Sequence, residues 1–338
     1  MEVHPGSLVP VERGDEDAPA GEQAGSSLAS ETYAGRTGPG GSPHSGGGRT
    51  PAVLVHGFTQ GSWSWQATAE QLAGTRGVTC ADLPGHGGSR DVSAGLWRTA
   101  ELLADVVPRP AFWVGYSLGG RACLHLALSR PDLVRGLVLI GAHPGIADEA
   151  ERNRRRRADW QLAARLDPPP EHPDAADPPQ VRLDRFLQRW LANPMFAGLD
   201  RRSAGLERRR ENDPAGLAQS LRLAGTGSQE PLWGRLGELD MPVLVVAGQR
   251  DAKFTALGRR AAGLIGANAR FEEVPGAGHP AHVEAPDHFS ALLGRWIDSV
   301  EAIQVCEAVD GDTHRQAHHP QEGRPDRQSS RPTARANP

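Results

Sequence analysis

Lysine is almost missing from this chain of 338 residues. Lys253 is the single lysine among 37 basic residues, and all the others are arginine. Arginine is therefore the ordinary basic residue here, and an arginine-rich stretch is weak evidence for a specialised surface. The formal net charge of −4 gives no argument for a nucleic-acid or membrane-surface partner.

Cysteine and long hydrophobic runs are also scarce. Cys80, Cys123 and Cys306 are odd in number and contain no C-x-x-C pair, which argues against a disulfide framework or a zinc site. We expect no metal and no cofactor. No apolar run approaches the roughly 18 residues that span a bilayer, and the amino terminus has no hydrophobic signal core. The sequence predicts a soluble, cytoplasmic protein without membrane insertion, and it leaves the oligomeric state open.

Large apolar residues are sparse at both ends of the chain. Residues 1–49 are rich in glycine, serine, proline and glutamate, and residues 301–338 in histidine, arginine, proline and glutamine. Neither segment has enough apolar surface to offset the entropy of ordering it. We predict two disordered tails around a folded part of about residues 50–300.

Short apolar runs recur through the folded part and predict buried parallel strands. Helix-like stretches separate them, so the pattern predicts an α/β fold with a doubly wound, mostly parallel sheet. The alternation stops between about 144 and 237, and ligands of such sheets bind at the carboxyl ends of the strands. We expect this insertion to form a helical cap. The runs are Ala52–Val55, Val78–Ala81, Phe112–Val114, Leu137–Ile140, Val243–Val246 and Arg270–Val274.

One of these runs leads into Gly115-Tyr116-Ser117-Leu118-Gly119. This is the G-x-S-x-G pattern of a nucleophile elbow, in which a serine lies at a sharp turn from a strand into a helix. Glycine is required on both flanks because a side chain there would collide with the neighbouring strand or helix. We predict Ser117 as the catalytic serine.

A catalytic serine needs an imidazole base, and the imidazole needs a carboxylate that holds its tautomer. In this architecture the chain order is Ser, Asp or Glu, then His. Asp251 follows the run 243–246, and His279 lies in a glycine-rich loop after the last strand. Asp251 could instead serve as a helix N-cap, and Asp240 is a rival acid that precedes its strand. The rival histidines are His56, His86, His143, His282 and His288.

Negative charge that develops on oxygen needs preorganised donors. His56-Gly57-Phe58 directly follows the first apolar run, so the backbone N–H of Phe58 can point into the site beside that of Leu118. We predict these two amides as the oxyanion hole and assign His56 to the shape of the turn. The loop 82–89 is interpreted as structural.

The motifs His-Gly-Phe at 56–58, Asp-Leu-Pro-Gly-His-Gly at 82–87, Gly-Tyr-Ser-Leu-Gly-Gly at 115–120 and Gly-Ala-Gly-His at 276–279 resemble the α/β-hydrolase family. Within it, the segments 190–196, 225–233 and 251–254 resemble the 2-succinyl-6-hydroxy-2,4-cyclohexadiene-1-carboxylate synthases of menaquinone biosynthesis. The resemblance covers about residues 51–298. It implies a lyase that removes pyruvate from 2-succinyl-5-enolpyruvyl-6-hydroxy-3-cyclohexene-1-carboxylate, with Ser117, Asp251 and His279 as its triad.

The resemblance also implies a substrate with three carboxylates, which planar and permanently charged arginine side chains bind well. Arg121 lies at the position that the family uses, and matching of neighbouring residues assigns Arg155 and Arg209 as further carboxylate ligands. A slip of one position would move either of these two assignments to a neighbouring arginine. Trp190 and Tyr116 are expected to line the pocket.

Two other functions fit the same motifs. A serine carboxylesterase or carbon-carbon bond hydrolase would share the triad but would not need Arg121, and a non-catalytic receptor could keep the hydrolase fold without chemistry. Dehalogenases and epoxide hydrolases carry an aspartate at the elbow, so Ser117 argues against both.

Overall fold

The computed structural model describes residues 27–33, 49–200 and 202–316, and for residues 304–316 it gives the backbone alone. The chain divides into two compact units, residues 1–297 and 298–338. The first unit holds the sheet and every residue of the candidate site. The described part of the second unit, residues 298–316, belongs to the last helix.

Seven strands form a single sheet in the order β1-β3-β2-β4-β5-β6-β7. All neighbouring pairs are parallel except β1 and β3, which are antiparallel. The predicted doubly wound, mostly parallel sheet is thus confirmed. The strands are β1 (Ser30–Tyr33), β2 (Ala52–Val55), β3 (Val78–Ala81), β4 (Ala111–Tyr116), β5 (Val134–Ile140), β6 (Val243–Gly248) and β7 (Ala269–Val274).

The central strands are apolar because helices cover both of their faces. Every residue of β2, β4 and β6 is buried, whereas the edge strand β7 carries charged residues and is mostly half-buried. The helices are α1 (Gln66–Leu72), α2 (Leu96–Val106), α3 (Leu118–Ser129), α4 (Glu149–Leu166), α5 (Pro179–Leu191), α6 (Leu206–Arg209), α7 (Pro214–Ala224), α8 (Ala252–Ile265), α9 (Ala281–Glu284) and α10 (Pro286–Gln316).

The direction of winding reverses between β2 and β4, which are neighbours in the sheet although β3 lies between them in the chain. At such a switch point the loops after the two strands diverge and leave a crevice at the carboxyl ends. The loop after β2 begins with His56, and the turn after β4 holds Ser117. The fold therefore brings the two predicted halves of the site to one edge.

Four helices, α4 to α7, are inserted between β5 and β6. They have an apolar core of their own, and Phe58 and Trp190 pack against it. The core residues are Ala163, Leu166, Leu183, Phe186, Leu187, Leu217, Ala218 and Leu221. The insertion is thus a small helical layer that contacts the loop after β2.

Both predicted tails are partly wrong. Residues 30–33 form an edge strand because the segment pairs with β3 and is anchored by two further contacts: the Ala29 N–H donates to Ser89 Oγ at 2.8 Å, and the Ala29 carbonyl accepts the Asp82 N–H at 2.9 Å. Residues 301–316 continue α10, and the first half of this segment contains good helix formers such as Glu301, Ala302 and Glu307. The remaining tail residues lie outside the described part of the chain.

The described residues contain neither a candidate membrane-spanning helix nor a candidate metal cluster. None of their helices combines the length and apolarity required to cross a membrane. Nor does this part of the chain hold a group of three or more histidine, cysteine, aspartate or glutamate side chains that could bind a metal ion.

Candidate active site

Ser117 lies at the sharp turn between β4 and α3. Its φ of 50° and ψ of −105° are strained for a residue with a side chain, and among the described non-glycine residues only Thr59 shares a positive φ. Its backbone N–H donates to the carbonyl of Ile140 at 2.8 Å, which ties the turn to the end of β5. The strand and helix on either side thus force the serine side chain out of the sheet edge.

The glycines around Ser117 are required by close backbone packing. A Cβ atom on Gly115 would lie 2.5 Å from the carbonyl carbon of Gly119, and one on Gly119 would lie 2.5 Å from the carbonyl oxygen of His56. Ordinary contacts of a Cβ are longer than about 3.4 Å, so neither position accepts a side chain. The approach of Gly119 to His56 also brings the start of α3 against the loop after β2.

His279 and Asp251 form a direct hydrogen bond. The Nδ1 atom of His279 lies 2.7 Å from Asp251 Oδ2, and the imidazole is 2% exposed. Phe254 and Tyr116 flank the ring at centroid distances of 4.4 and 5.2 Å. A carboxylate at Nδ1 keeps the proton on that nitrogen, so Nε2 is left as the proton acceptor.

Asp251 also caps the helix that follows it, since its Oδ1 accepts the backbone N–H of Phe254 at 3.2 Å. The two alternatives considered for Asp251, cap and triad acid, are therefore compatible in geometry. Asp240 is exposed and lies before β6, at the opposite end of the strand from His279.

Two of the rival histidines have both ring nitrogens occupied. His56 Nδ1 donates to the Gly57 carbonyl at 2.8 Å and its Nε2 accepts the Leu83 N–H at 3.0 Å. His86 Nδ1 donates to the Pro84 carbonyl at 2.9 Å, and its Nε2 accepts the Thr59 N–H at 3.2 Å. Burial lowers the pKa of both rings, that of His86 to about 3. These neutral rings join the loop after β2 to the loop after β3.

The other three histidines are placed differently. His143 Nδ1 accepts the Gly145 N–H at 3.0 Å, and burial, with a contribution from Lys253, lowers its pKa to about 4. His282 is buried against Trp65 at a centroid distance of 4.2 Å, and neither of its ring nitrogens has a hydrogen-bond partner in the described residues. His288 is exposed on α10. His56 Nε2 lies 3.9 Å from Asp82 Oδ1, but that nitrogen already accepts the Leu83 N–H. Among these rings in the described residues, His279 alone makes a direct hydrogen bond to a carboxylate.

The loop after β2 is held rigidly where the oxyanion hole is predicted. The Gly57 N–H donates to Gln60 Oε1 at 3.0 Å, and the backbone N–H of Gln60 donates to the Gly57 carbonyl at 3.1 Å. Between them Phe58 precedes Thr59, whose φ of 67° turns the chain sharply. Leu118 is the first residue of α3, at the positive end of the helix dipole. The two amides therefore come from fixed elements at the neighbouring ends of β2 and β4.

Arg121 is buried, with 7% of the residue exposed, one helical turn after Ser117. Its Nη1 donates to the Ala224 carbonyl at 2.8 Å, and burial together with the charge of Arg155 lowers its pKa to about 10. Within the described residues, no carboxylate lies within ion-pairing distance of Arg121. Asp159 attracts this charge without contacting it. A buried cation with no carboxylate in contact is unfavourable, so this geometry favours an anionic ligand.

Arg209 on α6 is in the same situation. It is 2% exposed, burial lowers its pKa to about 10, and the described carboxylates do not ion-pair with it. Its Nε donates to the Ala204 carbonyl at 2.7 Å and its Nη1 to the hydroxyl of Thr59. Thr59 thus joins the insertion to the loop after β2.

Arg155 is distinguished from its neighbours on α4 by its partner. Its Nε donates to Asp159 Oδ1 at 2.8 Å, although its side chain is still 40% exposed. Arg154, Arg156 and Arg157 are exposed and pair with no carboxylate of the described residues. Asp159 is fully buried, and its Oδ2 accepts the Gly227 N–H at 3.0 Å. Asp159 was missed in the sequence, although an acid four residues after Arg155 on one helix is a recognisable signal.

Aromatic side chains complete the site. Trp190 packs at 5.2 Å from Phe58 and 5.8 Å from Phe196, and its indole N–H is buried without a partner in the described structure. Tyr116 is 3% exposed beside His279, and burial raises the pKa of its hydroxyl. The arrangement therefore combines an elbow serine, an aspartate–histidine pair, a set of guanidinium groups and an apolar wall.

Comparisons with known proteins identify the family of this chain. A model described as the alpha/beta hydrolase family matches residues 52–291. The 2-succinyl-6-hydroxy-2,4-cyclohexadiene-1-carboxylate synthase of Enterobacter sp. (strain 638) is 34% identical over 250 residues, which cover 72% of this chain and 90% of the relative. The structure of MenH from S. aureus superposes with a TM-score of 0.70 at 26% identity and covers 80% of this chain and 98% of its own.

A thermophilic esterase from Thermogutta terrifontis shares the fold as well, with a TM-score of 0.61 at 22% identity over 81% of this chain and 93% of its own. The fold by itself is thus common to enzymes with different reactions, and the residues around Ser117 have to distinguish between them.

Proposed function

The chain belongs to the alpha/beta hydrolase family and, within it, to the 2-succinyl-6-hydroxy-2,4-cyclohexadiene-1-carboxylate synthases, and from this we propose how its site acts. The chain is a carbon-oxygen lyase of menaquinone biosynthesis. It eliminates pyruvate from 2-succinyl-5-enolpyruvyl-6-hydroxy-3-cyclohexene-1-carboxylate. Cys80 and Cys123 carry free thiols, as is usual in the reducing cytoplasm, and we assign the reaction to that compartment.

The observation that carries the proposal is the pair of buried guanidinium groups near the elbow. Arg121 and Arg209 are both removed from solvent without a carboxylate partner in the described residues, and neither Nη atom of Arg155 has a hydrogen-bond partner among those residues. A substrate with three carboxylates would supply the missing anions, and arginine binds a carboxylate through two parallel hydrogen bonds. A neutral ester would leave these charges uncompensated.

Ser117, His279 and Asp251 act in this proposal as one base. Asp251 holds the proton on His279 Nδ1, so Nε2 accepts the hydroxyl proton of Ser117. The serine oxygen in turn takes the acidic ring proton adjacent to the succinyl carbonyl. No acyl-enzyme forms, because the ring carbon gives up a proton and the serine oxygen makes no bond to carbon.

The electron pair of the broken C–H bond then forms a double bond to the neighbouring ring carbon, C3. The electron pair of the existing C3–C4 double bond moves to C4–C5 and expels the enolpyruvyl oxygen from C5, which gives the 2,4-diene. The C–O bond breaks, and the released enol converts to pyruvate by protonation at carbon. Charge that develops on the succinyl carbonyl oxygen is stabilised by the backbone N–H groups of Phe58 and Leu118. Trp190 and Tyr116 exclude water from the ring, which strengthens these interactions.

The proposal is tested with purified protein and two substrates. We expect stoichiometric pyruvate release from the enolpyruvyl substrate and little release of p-nitrophenol from p-nitrophenyl acetate. Rapid ester hydrolysis without pyruvate would refute the lyase and identify a serine esterase. In the same assay, Ser117→Ala should lose pyruvate release. Ser129→Ala is its control, because the Ser129 hydroxyl donates to the His125 carbonyl at the far end of α3.

A further inference from the structure

Glu284, at the end of α9, contacts both loops that carry the histidine and the acid of the triad. Its Oε2 accepts the backbone N–H of Gly278 at 2.9 Å and the Arg250 Nη2 hydrogen at 2.8 Å. Gly278 immediately precedes His279, and Arg250 immediately precedes Asp251. One carboxylate thus fixes the loop after β7 to the loop after β6, directly behind the Asp251–His279 hydrogen bond.

The same carboxylate is packed against the insertion. A Cβ atom on Gly198 would collide with the Glu284 carboxylate and would lie 2.7 Å from Arg250 Nη2. A Cβ on Gly278 would lie 2.9 Å from Glu284 Oε1. The segment of the insertion around Gly198 therefore rests on the Glu284–Arg250 pair, so the position of the insertion and that of the triad loops depend on one contact.

A purely structural role does not explain why position 284 carries a buried charge. Its side chain is 2% exposed while its partner Arg250 is 58% exposed, and Oε1 is buried with no hydrogen-bond partner in the described structure. An unpaired buried carboxylate oxygen is unfavourable, and a glutamine would offer Gly278 an acceptor without the charge. The charge of Glu284 also acts on the candidate site. Burial and Asp251 are the larger causes of the raised pKa of the Tyr116 hydroxyl, and Glu284 adds to them.

We propose that Glu284 is a positioning residue for the triad, and that its negative charge stabilises the imidazolium that His279 becomes when the serine is deprotonated. Asp251 supplies the first carboxylate and fixes the tautomer, and Glu284 supplies a second negative charge while holding both loops in place. This role rests on the proposed lyase function, because it assigns His279 as the proton acceptor.

Other charged and titratable groups also surround the His279 imidazole. Asp251 contacts His279 directly, Tyr116 and His282 flank it, and Lys253 lies on α8 beside Phe254. Arg250 partly neutralises Glu284, and Arg209 acts on Tyr116 and His282 from α6. Of these groups only Glu284 and Arg250 change in the variants below.

The test measures kcat and KM for pyruvate release against pH in the full-length enzyme. In Glu284→Gln, loss of a negative charge makes the imidazolium less stable, so the acidic limb of kcat/KM moves down by about one pH unit. We expect kcat to fall about tenfold while KM stays within about twofold, because Glu284 does not contact the proposed substrate arginines. In Arg250→Met the uncompensated carboxylate moves the acidic limb in the opposite direction.

Glu273→Gln is the matched control. Glu273 pairs with Arg259 at 2.7 Å on β7 and α8, away from the triad loops, so its loss removes one charge without an effect on the acidic limb. The role of Glu284 would be overturned if the pH profile of kcat/KM for Glu284→Gln superimposed on that of the wild type. It would also be overturned if Glu284→Gln and Glu273→Gln displaced the acidic limb by the same amount. Because Arg250 is exposed, its variant tests the role even where Glu284→Gln folds poorly. Absence of pyruvate release by the wild type would refute the lyase itself.

Discussion

Asp251 bonds His279 with one carboxylate oxygen and caps α8 with the other. Oδ2 lies 2.7 Å from His279 Nδ1, and Oδ1 accepts the Phe254 N–H at 3.2 Å. A single side chain thus aligns the imidazole and starts the helix that follows β6. The two tasks can be separated, because a cap needs only an acceptor and the imidazolium needs a charge.

Asp251→Asn should retain the cap and lose the charge. We expect the free energy of unfolding to change by less than about 1 kcal/mol, because asparagine is as good an N-cap as aspartate. Pyruvate release should fall by about 10³-fold or more, since the asparagine no longer stabilises the imidazolium or its tautomer. Urea unfolding and steady-state kinetics measure the two effects.

Asp213→Asn is the matched control for this change. Asp213 caps α7 in the same way, by accepting the Gly216 N–H at 2.7 Å, and it contacts no imidazole. Its activity should stay within about twofold of the wild type. Equal loss of activity in both variants would assign the effect at Asp251 to helix capping.

Arg121→Gln should weaken substrate binding without weakening the fold. The buried guanidinium has no carboxylate partner in the described residues, so its removal should leave the free energy of unfolding unchanged or raise it by about 1 kcal/mol. KM should rise by about tenfold or more as a substrate carboxylate loses its partner. A large loss of stability with an unchanged KM would show that Arg121 is structural.

Arg155 and Arg154 offer a test one residue apart on α4. Arg155 donates from Nε to the buried Asp159, whereas Arg154 is exposed and pairs with no carboxylate of the described residues. Arg155→Gln should raise KM about tenfold with a smaller effect on kcat, and Arg154→Gln should stay within about twofold of the wild type. The reverse order would move the assignment to the neighbouring arginine.

Buried neutral histidines should make the fold sensitive to acid. Burial lowers the pKa of His86 to about 3, well below the ordinary value of 6.5. Between these values the unfolded chain binds a proton that the folded ring does not, so the stability is full above about pH 6.5 and declines as the pH falls towards 3. His125, His143 and His282 act in the same direction.

His86→Gln should reduce this sensitivity. Between pH 7.5 and pH 5 the variant should lose about 2 kcal/mol less unfolding free energy than the wild type, which corresponds to one proton over about 1.5 pH units. Urea unfolding at the two pH values measures the difference. His288→Gln, on the exposed side of α10, should follow the wild type; a parallel decline in His86→Gln would remove His86 from the acid response.

Local patterns were sufficient to predict the fold and the loops that bring Asp251 and His279 together. The apolar runs of β2, β4, β5 and β6 identify strands because residues buried on both faces must be apolar. The elbow at Ser117 is a local signal too, since five consecutive residues fix its backbone. Register in the sheet then determines which loop ends meet.

The remaining features depend on contacts between distant segments. The strand Ser30–Tyr33 exists because it pairs with β3, about 50 residues later, and composition alone favours disorder there. Asp159 becomes significant only when Gly227 approaches it from the far side of the insertion. Glu284 acts on residues that precede Asp251 and His279 by one position, a relationship that no sequence spacing encodes.

The central claim is that Ser117 works as part of a base and makes no acyl-enzyme. The direct measurement is a comparison of wild type and Ser117→Ala by pyruvate release and by mass spectrometry of the intact protein after rapid quenching. The account predicts pyruvate and the cyclohexadiene in equal amounts, no covalent adduct on the wild type, and a loss of about 10³-fold or more in Ser117→Ala. An adduct on Ser117 during turnover, or full activity in Ser117→Ala, would contradict it.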